Sequence, residues 1–121
     1  MATTKVPGTM LPAYPYAKRY VATITQATTA APTELTVLEN TFGTMTIARP
    51  STAGIYTWTC TGKFSTTKTM VRFTCMNAAV ADARVCAYVI TSADVITLQI
   101  SDVATPTAAD SKLFLLEIYS L

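Results

Sequence analysis

Charge is what this chain has least of. Charged side chains make up 13% of its 121 residues, about half the ~25% usual for a soluble domain, while 50% of the residues are hydrophobic. A small domain stays in solution by covering itself with Lys, Glu, Arg and Asp. A chain that leaves them out is expected to hide part of its surface against a partner. Histidine is absent altogether, which removes the commonest general base, the commonest metal ligand and every Ser-His or Cys-His nucleophile pair. The three cysteines, Cys60, Cys75 and Cys86, are odd in number, lack CxxC spacing and fall in apolar runs. They read as buried free thiols, in keeping with a chain folded in a reducing cytoplasm.

Other absences narrow the class further. No apolar run approaches the ~18 to 20 residues of a membrane-spanning helix. The start, Met1-Ala2-Thr3-Thr4-Lys5, has neither the charged onset nor the apolar stretch of a signal peptide, and neither Asn40 nor Asn77 begins a glycosylation sequon. Synthesis in the cytoplasm without secretory export is expected, and with it no outer-membrane barrel and no membrane partner. The net charge is +2 and the basic residues are scattered, Lys18-Arg19 being the only adjacent pair. Nucleic acid as a partner needs a clustered basic stripe, so none is expected.

What is present is threonine, about a fifth of the chain, whose β-branched side chain suits a pleated strand. From Lys18 onward the dominant period is two, broken every eight to twelve residues by turn signals. That pattern predicts an all-β antiparallel sandwich of seven to eight strands, of jelly-roll type. Strands are expected over 19–25, 35–39, 44–48, 55–61, 69–75, 84–90, 95–100 and 113–119. Asn40-Thr41-Phe42-Gly43 supplies the residues of a tight turn, so 35–39 and 44–48 are expected to form one hairpin; 84–90 and 95–100, joined at Ser92-Ala93-Asp94, form another. Leu113 to Tyr119, interrupted only by Glu117, reads as a central strand covered on both faces or buried between subunits. No helix is expected beyond a single turn in 77–83.

Residues 1–17 differ from the rest. Pro7, Gly8, Pro12 and Pro15 break regular structure, and Met10, Leu11, Tyr14 and Tyr16 are apolar enough to dock on something. They are read as an extended N-terminal arm before a single domain over 18–121, and these four residues, with Leu113, Leu115 and Tyr119 of the last strand, are the candidate interface. Three further surfaces, at Ile55, Met70 and Val95, face outward in the same reading.

Little in the sequence points to chemistry. Asp94, Asp102 and Asp110 recur every eight residues, but each stands among turn-forming residues where Asp bonds its own backbone. A paired-acid sugar hydrolase or a calcium loop is therefore a lesser reading, and the EF-hand spacing is missing. Gly62 to Lys68 lacks the second glycine and following helix of a phosphate loop. Trp58, Tyr56 and Tyr88 could stack on sugars, though aromatics at alternate strand positions more often form a core. No cofactor and no catalytic or metal-binding residue is assigned, and the chain is read as no enzyme.

The block Val37-Leu38-Glu39-Asn40-Thr41-Phe42-Gly43-Thr44, with Gly54-Ile55-Tyr56, Phe64-Ser65-Thr66-Thr67-Lys68-Thr69 and a Tyr20 to Gln26 segment, resembles a small β-domain of bacteriophage virion proteins, including those of crAss-like phages and other phages of Bacteroidetes. The resemblance covers 18–68, and the last fifty residues only in general character. It implies a virion location and a structural or attachment role: capsid decoration, head fibre or tail-fibre component. It assigns no catalytic role to any residue. With a single domain and a short arm the chain is expected to be a capsid decoration or head-fibre protein that forms a homo-oligomer, a homotrimer first of all, and binds the major capsid protein or other virion proteins. A carbohydrate- or receptor-binding tail-fibre module, with glycan as partner, is the alternative, and a small β-barrel enzyme or ligand carrier comes third.

Overall fold

The computed structural model describes residues 18–50, 52–104 and 107–121, and the arm expected over 1–17 lies outside them. The described residues form eight strands: β1 (Lys18–Thr25), β2 (Thr33–Asn40), β3 (Thr46–Ala48), β4 (Ile55–Thr59), β5 (Thr69–Cys75), β6 (Arg84–Ile90), β7 (Val95–Asp102) and β8 (Leu113–Ser120). A single 3₁₀ turn, Val80–Asp82, is the only helical element among them. Every pairing is antiparallel, and the strands divide into two four-stranded sheets ordered β2-β1-β8-β5 and β3-β4-β7-β6.

The alternation seen in the sequence builds the space between the sheets. Tyr20, Ala22 and Ile24 of β1 and Phe114, Leu116 and Ile118 of β8 face Tyr56 and Trp58 of β4 and Ile96, Leu98 and Ile100 of β7, all fully buried. Because successive strand residues point to opposite faces, burying this set fixes the register: a slip of one residue would turn it out to water. Phe114 crosses the gap. Its ring lies 6.0 Å from Tyr56, 6.3 Å from Trp58 and 4.9 Å from Phe73, joining aromatics of both sheets.

The all-β sandwich is as expected, whereas a jelly-roll connection is not shown: β1–β2, β3–β4 and β6–β7 are sequence neighbours paired within one sheet. The second expected hairpin forms, with Ile90 opposite Ile96. The first does not. β2 pairs with β1 in one sheet and β3 with β4 in the other, so Asn40 to Gly43 turns the chain between sheets. The turn chemistry is nonetheless that of the residues read there. Asn40 Oδ1 accepts from the Phe42 and Gly43 N–H groups, its Nδ2 donates to the Gly43 carbonyl, and Gly43 takes φ +115°. What redirects the chain is Phe42, which is buried 5.7 Å from the buried Phe64 and so pulls the connection across the mouth of the core.

β2 is an edge strand with two irregularities. Its register against β1 shifts between the partners of Val21 and Ala22 and again between those of Thr23 and Ile24, leaving Leu38 and Leu35 as the extra residues of two bulges. Bulges twist an edge away from further pairing. β8 takes the central position expected of it, between β1 and β5. Its inner residues are buried and its outer ones only half-buried.

Candidate interaction surface

The two outer faces of the sandwich are built from the same strand geometry and differ in chemistry. On the β2-β1-β8-β5 sheet, the outward face carries Glu39, Arg19, Glu117 and Arg72, with Arg19 3.7 Å from Glu39 and Arg72 4.0 Å from Glu117. The three expected interface residues of β8, Leu113, Leu115 and Tyr119, lie on this face and are half-buried. The Tyr119 hydroxyl donates to Glu117, and that bond, with partial burial, holds its pKa above the ordinary tyrosine value. Met70 lies here too, 55% exposed. Met10, Leu11, Tyr14 and Tyr16 lie outside the described residues.

The outer face of the β3-β4-β7-β6 sheet contains no ionisable group. Since Tyr56, Trp58, Ile96, Leu98 and Ile100 point inward, Ile55, Thr57 and Thr59 of β4 and Val95, Thr97, Gln99 and Ser101 of β7 must point out. The registers then align Val85, Ala87 and Val89 of β6 with Ser101, Gln99 and Thr97, and Thr46 and Ala48 of β3 with Thr59 and Thr57. Twelve outward residues across four strands are hydroxyl, amide or aliphatic. Val85 and Val89 are 54% and 48% exposed. Ile55 and Val95, expected to face outward, do so here. The signal was present in the sequence strand by strand, but only the strand order collects it on one face.

A cluster of charges stands at one end of this sheet. Asp110 accepts from Arg49 Nε at 3.1 Å and Arg49 Nη2 at 2.9 Å, from the Gly54 N–H at 2.9 Å and from the Tyr56 hydroxyl at 2.9 Å. Burial alone would raise its pKa; the Arg49 guanidinium and the two further donors outweigh that and hold it below the ordinary carboxylate value. Arg84 Nε donates to the Asp110 carbonyl, and Arg84 Nη1 lies 3.9 Å from Asp102. The Tyr56 hydroxyl in turn accepts from the Ser111 N–H. The clamp ties β3, β4, β6 and the segment before β8 into one unit. Gly54 sits inside it at φ +78°, where a Cβ would come 2.3 Å from the Ile100 carbonyl oxygen.

The three regularly spaced aspartates do not meet. Asp94 accepts from the Gly62 N–H at 2.7 Å, Asp102 from the Ala104 N–H at 2.9 Å, and Asp110 serves the clamp. Each organises a local turn or corner. Among the described residues no three His, Cys, Asp or Glu side chains come together as a metal site requires. Of the three aromatics weighed as sugar platforms, Trp58 and Tyr56 are fully buried and Tyr88 is 38% exposed. The polar tips of the buried pair are used internally: Trp58 Nε1 donates to the Tyr20 hydroxyl, which donates to Glu34. The three cysteines are free, Cys60 buried and the other two half-buried, with desolvation pushing the Cys86 thiol up to about 12.

Gln26 and Phe64 were missed by sequence reasoning. Gln26 Nε2 donates to the Thr28 and Ala30 carbonyls, stapling the β1–β2 loop around Thr28 at φ 52°. Among the described residues no helix is long and apolar enough to cross a membrane. Comparison of the chain with protein-family models, with curated proteins and with solved structures finds no match.

Proposed function

We propose that this chain is a non-enzymatic structural protein of a bacteriophage particle, a capsid decoration or head-fibre subunit that works by assembling with copies of itself and with other virion proteins. The observation that carries the assembly role is the outer face of the β3-β4-β7-β6 sheet: twelve outward residues on four strands without one ionisable group. A free surface of that size normally mixes both signs of charge. An uncharged one is suited to burial against a partner, because no ion has to be stripped of water. The phage setting rests on the resemblance of the Val37 to Thr44 block and its companions.

Glycan binding is the weaker reading. Of the three aromatics that could stack on sugar, Trp58 and Tyr56 are in the core and only Tyr88 is exposed, and Asp102 is engaged by Arg84 and its own loop. Mass spectrometry of purified phage particles tests the proposal. Recovery of the chain in hundreds of copies per particle is expected for a shell protein, and a few to a few tens for a fibre. Its absence from particles would refute the virion role.

A further inference from the structure

We infer that the uncharged face of the β3-β4-β7-β6 sheet is a self-association surface, packing against the same face of a second copy about a two-fold axis. The inference rests on the assembly reading above and names the partner of that surface.

Charge selects the partner. A surface carrying Lys, Arg, Asp or Glu, laid on this face, would give up hydration and receive no counter-charge. The occupant must itself be neutral over a matching area, and of the two outer sheet faces among the described residues only this one is neutral. The other sheet is unsuitable for the same reason, because its Arg19, Glu39, Arg72 and Glu117 would have to be desolvated. Shape agrees. Two twisted sheets pack face to face at about 30° and ~10 Å apart, and a two-fold axis lying between the sheets brings identical twists together in an isologous contact.

One polar group at the centre of the face is already paired. Thr97, on a central strand, already shares a hydrogen bond of 2.6 Å with Thr91, so covering it leaves no stranded hydroxyl. Four strands ~4.8 Å apart and three to eight residues long, at ~3.3 Å per residue, give a footprint of about 360 Å² per copy, or ~730 Å² for the pair. That places the contact with the small, weak interfaces rather than the permanent ones, so a concentration-dependent dimer is expected.

The test is light scattering coupled to size-exclusion chromatography on the full chain, with two charge-bearing variants of this face and one of the other. Thr57 and Thr97 are cross-strand partners at the centre of the sheet. Thr57→Lys/Thr97→Lys would set four ammonium groups against one another in a symmetric pair. Gln99→Lys, at an exposed position, guards against a double variant that fails to fold, and circular dichroism confirms the fold of each. Thr23→Lys, on the outer face of the other sheet, is the control.

At about 100 µM the wild-type chain is expected at twice its 13.0 kDa monomer mass, falling toward the monomer on dilution, with the Thr57/Thr97 and Gln99 variants at least tenfold weaker in association and Thr23→Lys unchanged. A wild-type monomer at that concentration overturns the inference, and particle composition then judges the virion reading by itself. A three-copy mass, or an oligomer indifferent to the face lysines, overturns it too while leaving assembly intact.

Discussion

The two sheets of the sandwich are alike on the inside and unlike on the outside. Inward, each presents a row of large apolar side chains with no exposure: Tyr20, Ile24, Phe114, Leu116 and Ile118 from one, Tyr56, Trp58, Ile96, Leu98 and Ile100 from the other. Outward, one carries Arg19, Glu39, Arg72 and Glu117 and the other no charge at all. Core packing therefore does not account for the outer composition, since equal inner faces would be served by equal outer ones. Solubility does not account for it either, because it would distribute charge over both. On the proposed reading, the difference lies in what each face meets.

Breaking the shared interior should damage both sheets together. Phe114→Ala removes the one ring that touches Tyr56, Trp58 and Phe73, and is expected to cost about 3–5 kcal/mol in urea unfolding, with the loss cooperative across both sheets. Two separate transitions would show that the sheets are independently stable. Somewhat smaller is the effect of Gly54→Ala. The added methyl would meet backbone at 2.3 Å from one residue and 2.9 Å from another at a left-handed φ, so a loss of roughly 3 kcal/mol is expected. It would loosen the corner that anchors the uncharged sheet while leaving that face's chemistry as it is.

The clamp gives the uncharged sheet an acid-sensitive anchor that the charged sheet lacks. The Asp110 pKa is depressed in the folded chain, so its contribution is fully present above the unfolded carboxylate value of 3.8 and is lost as pH falls through the lower folded value. Asp110→Asn breaks the two-pronged Arg49 contact and is expected to cost about 2 kcal/mol near neutral pH, less than a fully buried pair because the carboxylate keeps some solvent contact. The wild-type advantage in unfolding free energy should stay level from pH 7 to about 5 and shrink below about 4. An advantage that did not change with pH would mean the clamp acts through shape and not through charge.

Much of this was legible in the sequence. Strands 69–75 and 84–90 have the bounds their alternation gives, and the β6–β7 hairpin follows from the Ser92-Ala93-Asp94 turn. Alternation reports which residues share a face of one strand; it is silent on which strands lie side by side. That is why Asn40 to Gly43 read as a hairpin although it crosses between sheets, and why the partner of Asp110, Arg49, stands sixty-one residues away without a local signal. The candidate surface suffered most. Ile55 and Val95 were legible as outward, yet the twelve-residue neutral face exists only once β6, β7, β4 and β3 are placed in order. Leu113, Leu115 and Tyr119 drew attention by hydrophobicity, and their register sets them among the charges of the other face.

The smallest effect sharpens the contrast most directly. Arg72 is 68% exposed and its nitrogen lies 4.0 Å from Glu117, a pair that water and salt screen heavily. Arg72→Ala should therefore change unfolding free energy by less than about 0.5 kcal/mol at moderate ionic strength. If the charges of this face serve to keep it wet, the variant should nonetheless lower solubility, because Met70 and Tyr119 beside it lose a covering cation. Removing a hydroxyl from the other face by Thr59→Val, a change of similar size, should leave solubility nearly unchanged at concentrations where the pair forms, since that surface is already covered. A precipitation threshold that moves for Arg72→Ala and holds for Thr59→Val would mark one face as built for water and the other for a neighbour. Equal shifts would mean that the two faces meet the same surroundings.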